Sequence, residues 1–151
     1  TGGDSLPLTI MEKALVRAKS APGVSFPDAV LTDVRGNTVS LSGLRGKVVL
    51  VDFFARGWKV WEESLPATVD LWNRYNASGF EVVSICLEPN ASGLEQLSVP
   101  WSVVAGAPAL TRPLGIFGET TSYLLDQNGM VIARNLRGQD LVFAVRRALG
   151  K

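Results

Sequence analysis

The chain of 151 residues contains no histidine and a single cysteine, Cys86. An intramolecular disulfide is therefore excluded, and neither a histidine-based triad nor a Cys/His zinc site can be assembled. Acidic residues are present but scattered, without the spacing of a carboxylate metal site, so no metal or other cofactor is expected. Runs of one charge are also missing: 15 Lys and Arg are interspersed with 14 Asp and Glu, for a net charge of +1. Without a basic stretch to neutralise phosphates, nucleic acid is a poor partner. Long apolar runs are lacking too. The longest, from Val48 to Ala55, is broken by Asp52 and is strand-sized, well short of the roughly 20 residues that span a bilayer. The chain opens at Thr1 rather than at methionine. It reads as a mature chain or an excised piece, with any signal peptide or neighbouring domain outside it.

What is present reads as one compact domain over residues 23–151, preceded by a helix or linker over residues 1–22. Leu8, Met11, Leu15 and Ala18 recur at helical spacing, which predicts a short amphipathic helix over 5–20. Ala21-Pro22-Gly23 breaks it. Two short strands around Arg35-Gly36-Asn37 read as a hairpin. The run at 48–55 reads as a central strand covered on both faces. A helix is predicted from Lys59 to Tyr75, with Trp61, Leu65, Val69 and Trp72 on its apolar side. Pro66 should kink that helix or leave one of its carbonyls unpaired, and Gly79 suits a left-handed cap after it. Further strands are read at 81–88 and 101–105, with a short helix around Ser92 to Leu97 between them. Pro108 and Pro113 limit any helix over 106–114. Gln127-Asn128-Gly129 joins strands at 122–126 and 130–135 as a second hairpin. A helix from Asp140 to Leu149 closes the chain, with Leu141, Val142, Val145 and Leu149 inward. The order predicts an α/β fold: a mixed central sheet with helices on both faces.

Specific residues narrow this further. From Gly23 to Leu149 the chain resembles the TlpA/ResA and peroxiredoxin-like (AhpC/TSA-like) branch of the thioredoxin superfamily. Members of that branch combine a Phe-Pro strand, a hairpin, a Leu-x-Gly-Lys turn and a strand of the form V-V-L-V-N-F-W-A. A W-C-x-x-C motif follows, with a helix-kinking proline five residues after its second cysteine. Here Phe53-Phe54-Ala55 leads to Gly57-Trp58-Lys59-Val60-Trp61, and Pro66 stands in the expected place. Gly57 takes the tryptophan position, and Trp58 and Trp61 take the positions of the two cysteines. The branch also carries a loop G-V-x-G-x-P-T-T-F-L-I-D, whose cis-proline faces the cysteines. Here the loop runs from Gly115 to Asp126, with Thr120 in place of the proline.

The resemblance implies a thioredoxin fold and, in its ordinary members, thiol-disulfide exchange. That reaction needs a thiolate at a helix N-terminus and a second thiol to resolve the mixed disulfide. An indole supplies neither. A cis peptide before Thr120 would cost about 2.5–4 kcal/mol, so a trans bond and a rearranged loop are expected. Trp58, Trp61, Asp52 and Thr120 thus read as a vestigial active site with no catalytic residue. Gly57 and Thr120 read as space made for the new indoles. Asp52 aligns with the buried acid beneath the cysteines of thioredoxin. It reads either as a leftover acid with a raised pKa or as an interior acid satisfied by a hydroxyl or amide. Without thiols to serve, the second reading is favoured. Cys86 lies within a strand and reads as an inert buried thiol rather than a peroxidatic one.

Trp61 falls on the inward stripe of its helix and reads as core. Trp58, nearer the helix end, could join Phe117 and Glu119 of the facing loop in a binding surface. The main functional expectation is a redox-inactive domain that binds a protein or peptide, or a second copy of itself, as a chaperone-like or assembly module. The alternative is a TlpA/ResA-type oxidoreductase whose native cysteines are altered in this sequence. By the same resemblance the domain is expected in the bacterial periplasm or cell envelope.

Overall fold

The computed structural model describes residues 23–90, 92–116 and 121–151. The helix expected over 5–20 and its Pro22 break lie outside the described residues, as do Phe117, Glu119 and Thr120, with the peptide bond before Thr120.

The first hairpin pairs β1 (Val30–Thr32) with β2 (Thr38–Ser40). Its turn is fixed by Asp33, whose Oδ1 accepts the backbone N–H groups of Arg35 and Asn37, each at 2.9 Å. An aspartate that binds its own downstream backbone in this way stabilises the turn before any tertiary packing. The main sheet consists of β3 (Val48–Phe54), β4 (Phe80–Cys86), β5 (Ser102–Ala105), β6 (Thr121–Leu125) and β7 (Val131–Arg134). Its spatial order is β5-β4-β3-β6-β7, parallel on the β4 and β5 side and antiparallel on the β6 and β7 side. All seven residues of the central strand β3 are buried, as its apolar run predicts. Among the described residues the α-helices are α1 (Lys59–Tyr75), α2 (Pro108–Leu114) and α3 (Gly138–Ala148).

Alternation along β3 divides the core into two layers. Val49, Val51 and Phe53 pack with Leu110 and Leu114 of α2 and with Leu31 and Val39 of the first hairpin. Val48, Leu50 and Phe54 pack with Trp61 and Leu71 of α1 and with Leu141 and Val145 of α3. The expected arrangement of a mixed sheet with helices on both faces is therefore observed. Among the described residues no helix is long and apolar enough to cross a membrane.

Two local expectations are corrected. The buried residues of α1 are Trp61, Thr68 and Leu71, whereas Leu65, Val69 and Trp72 are only partly covered. The inward line of α1 thus includes a threonine that an apolar pattern passes over. Its hydroxyl donates to the Ser64 carbonyl at 3.0 Å, so it can be buried without an unpaired donor. The helix continues through Pro66, which has no N–H to offer the Glu62 carbonyl, the second of the two outcomes expected of that proline. Finally, the short helix expected near Ser92 to Leu97 is a single 3-10 turn over Leu94–Gln96. Gly79 does take the left-handed conformation, with φ of 104°.

Candidate functional site

The site is built where β3 delivers its only polar side chain beneath the first turn of α1. Register places Asp52 opposite Ser84 of β4 and opposite Ser122 of β6. The three residues form a polar row across one face of an otherwise apolar sheet. Two tryptophans from different elements serve this row. Trp61 Nε1 donates to Asp52 Oδ2 at 3.0 Å, and Trp101 Nε1 donates to Ser84 Oγ at 2.8 Å. Phe54 completes the arrangement by stacking on Trp61, with ring centroids 3.7 Å apart and planes 5° from parallel.

Asp52 is 7% exposed, and its second carboxylate oxygen, Oδ1, has no hydrogen-bond partner. Desolvation raises the Asp52 pKa to about 6. The nearby Ser84 hydroxyl, the Trp61 indole and the residue's own backbone N–H pull the other way without cancelling it. Ser84 acts from across the strand pair without reaching hydrogen-bond geometry to Oδ1, which stays unpartnered. Both readings of Asp52 thus hold in part. The pKa is raised, as for a leftover acid, while the Ser84 hydroxyl and, in addition, the Trp61 indole favour the charged carboxylate. Nothing in the sequence pattern flags that bond. Trp61 and Asp52 meet only because one turn of helix folds back over the strand.

Trp61 is core, as the helical pattern predicts, at 4% exposure. Trp58 is the N-cap residue of α1 and makes no side-chain capping bond. Its indole has no acceptor to offer the free N–H groups of the first turn. It is partly buried against the same layer as Trp61. Two recesses flank Trp61, and Trp58 lines neither. One, of about 260 Å³, lies between the Arg56-Gly57 turn and the segment carrying Leu94 and Leu97. The other, of about 480 Å³, runs between α1 and α3 and has Asp52 in its lining. Arg56 ties the first turn in place by donating to the carbonyls of Asn90 and Ser92, while its backbone N–H donates to Glu88 Oε1 at 2.8 Å.

The expectation that Gly57 makes room for an indole is not met. Its φ is +76°, and a Cβ there would meet nothing within 4 Å. Backbone handedness, not space, accounts for glycine at this turn. Cys86, at the end of β4, is fully buried among apolar neighbours and unpaired. We expect no reaction of the native chain with a thiol reagent such as 5,5′-dithiobis(2-nitrobenzoate) over hours, and release of one equivalent of thiolate on denaturation. Rapid labelling of the folded chain would contradict this placement.

A five-stranded mixed sheet of this order, with an acid in the central strand beneath the N-terminus of the following helix, defines a thioredoxin-fold protein. The chain belongs to the AhpC/TSA family, whose model matches residues 22–134. Within that family it is of the TlpA/ResA type. It is 24% identical over 123 residues to the thiol-disulfide oxidoreductase ResA of Bacillus thuringiensis subsp. konkukian, covering 78% of this chain and 70% of that protein. The ResA of Geobacillus kaustophilus is 29% identical over 116 residues, covering 74% of this chain and 67% of its own length. Among solved structures, the thioredoxin domain of a thiol-disulfide oxidoreductase from Bacteroides vulgatus superposes with a TM-score of 0.76 at 26% identity. That match covers 85% of this chain and 98% of the other.

Proposed function

We propose that this domain has kept the thioredoxin framework, carries out no thiol-disulfide exchange, and serves as a protein- or peptide-binding module of the extracytoplasmic space. The observation that carries the first half is the state of Trp61. It is stacked on Phe54 and bonded to Asp52, in the place where the resemblance puts the second cysteine. The one thiol of the chain, Cys86, is buried and has no second cysteine to resolve a mixed disulfide. Trp58 supports the second half: a partly covered indole at the end of α1, on the rim where the vestigial site would meet a partner. The extracytoplasmic placement rests on the TlpA/ResA resemblance.

The relatives are named as thiol-disulfide oxidoreductases, and that activity is the competing reading. In this chain it requires cysteines at positions 58 and 61 in the natural protein. Insulin reduction separates the two. With dithiothreitol as electron source, the chain should precipitate insulin no faster than dithiothreitol alone; measurable turnover overturns the redox-inactive reading. For binding, peptides selected from a phage-displayed library against the chain should lose about tenfold or more in affinity for W58A. Peptides that bind both proteins alike would remove Trp58 from the interface.

A further inference from the structure

The groove between α1 and α3 takes no part in the binding surface assigned to Trp58. It measures about 480 Å³ and has Val60, Ala67, Leu71, Leu136, Leu141 and Val142 among its walls. Val60 is 56% exposed on the α1 lip. Phe143, one helical turn beyond the lining residue Gln139, is 60% exposed on α3. A furrow between two helices with large apolar side chains left in solvent at both lips is suited to receiving an amphipathic helix. Chain direction names the occupant. Upstream of the first hairpin the backbone is pinned to β7: Ser25 bridges Met130, the Gly23 N–H donates to the Val131 carbonyl at 2.7 Å, and the Val131 N–H donates to the Val24 carbonyl at 2.8 Å. This pairing is antiparallel, so the residues before Gly23 head toward the C-terminal end of β7. Just past that end come Leu136, Arg137 and Gly138, which line the groove. The path also passes Ile132. Together Ile132, Phe143 and Val60 are three of the four large apolar residues exposed among the described residues.

We propose that residues 5–20 of this chain seat in the groove as a helix, with Leu8, Met11, Leu15 and Ala18 against its apolar walls. Length fits. A helix over residues 5–20 is about 24 Å long, and α1 lines the groove from Val60 to Arg74, a span of about 21 Å. Ala21 and Pro22 remain as the link to Gly23. Direction fits as well. β3 and β7 both run antiparallel to β6, so α1 and α3 start from the same end of the sheet. A segment arriving from Gly23 enters at that end and lies antiparallel to both helices. Its C-terminal turn then stands beside their N-termini, which brings opposite ends of the helix macrodipoles together. The groove is thus filled by the chain itself, and Trp58, which does not line it, stays free for another partner. Neither Asp52 nor thiol chemistry enters, so the docking stands or falls apart from the binding module proposed above.

Disulfide trapping in the full chain tests this. In the antiparallel arrangement Met11 comes level with Ala67, an exposed residue of the groove wall. The double variant M11C/A67C should close an intramolecular disulfide under mild oxidation and run as a monomer whose introduced thiols no longer react with a maleimide. The buried Cys86 should not compete. M11C/V30C should stay open, because Val30 is exposed on the first hairpin, which packs on the opposite layer of the core. Adding L15D to M11C/A67C should slow closure about tenfold or more, since docking would bury the new charge. These positions lie outside the folded core, so the variants keep its packing. Failure of M11C/A67C to close, equal closure of M11C/V30C, closure indifferent to L15D, or disulfides formed only between two copies would overturn the proposal.

Discussion

Replacing Trp61 by alanine is expected to destabilise the fold by about 3–5 kcal/mol, a large part of the roughly 5–15 kcal/mol that holds an ordinary domain together. Two separate losses produce this. The indole is stacked on Phe54 within the α1–α3 layer of the core, so its removal leaves a cavity that a continuous strand and a helix cannot close. It also donates a hydrogen bond to the buried Asp52 carboxylate, at 3.0 Å. Leaving a buried charged acceptor unpaired adds about 1–3 kcal/mol. Trp61→Phe separates the two losses, because it keeps a ring against Phe54 and deletes the N–H. We expect W61F to lose about 1–3 kcal/mol and to raise the Asp52 pKa further, since the indole bond favours the charged form. Urea unfolding at pH 7.5 and at pH 4 checks both statements. If W61F were as stable as the parent at pH 7.5, the indole–carboxylate bond would have no energetic role.

Asp52→Asn should make the protein more stable at neutral pH. The native pKa of about 6 lies above the roughly 3.9 of an unfolded aspartate. An acid shifted in that direction is favourable to the fold only while protonated. Between about pH 4 and pH 6 the native state holds the proton that the unfolded state has released, and stability falls as pH rises through this window. Above pH 6 both states are ionised and the native state carries the full penalty, on the order of 3 kcal/mol. Asparagine removes the charge and keeps an oxygen for Trp61 Nε1. Allowing for the weaker bond of a neutral acceptor, D52N should gain about 1–3 kcal/mol at pH 7.5. The gain should disappear near pH 4, where the parent is protonated as well. Parallel melting curves across that range provide the test. A variant less stable than the parent at both ends would mean that Asp52 is better satisfied than its geometry indicates.

Much of the fold is legible in the sequence because its signals are local. The mostly apolar run of β3, the turns at Arg35-Gly36-Asn37 and Gln127-Asn128-Gly129, the helix from Lys59 to Tyr75 and the left-handed Gly79 are each set by residues a few positions apart. The chemistry of the site is less legible. The cysteine positions could be placed by counting from Phe53 and Phe54 to Pro66, and the inward position of Trp61 followed from helical spacing. The bond between Trp61 and Asp52 could not be read this way, because it depends on how the first turn of α1 lies over the sheet. The same holds for the polar row. Ser84 and Ser122 join Asp52 through strand register, a relation between segments more than thirty residues apart in the chain. Thr68 was missed for another reason: a back-bonded hydroxyl can be buried like an apolar side chain, and a hydrophobic pattern does not count it. Gly57 shows the reverse error, a small residue read as vacated volume when the backbone required its handedness.

The stacked, hydrogen-bonded indole also has an evolutionary consequence. A tryptophan codon is one base away from a cysteine codon, so mutation alone offers a thiol at position 61 readily. Such a mutant would strip Phe54 of its stacking partner and take the indole donor from Asp52. Regaining a thiol there would first cost the fold a stacked, hydrogen-bonded core side chain. Trp61 is therefore entrenched: purifying selection for a folded chain is enough to preserve it, whatever the domain is used for.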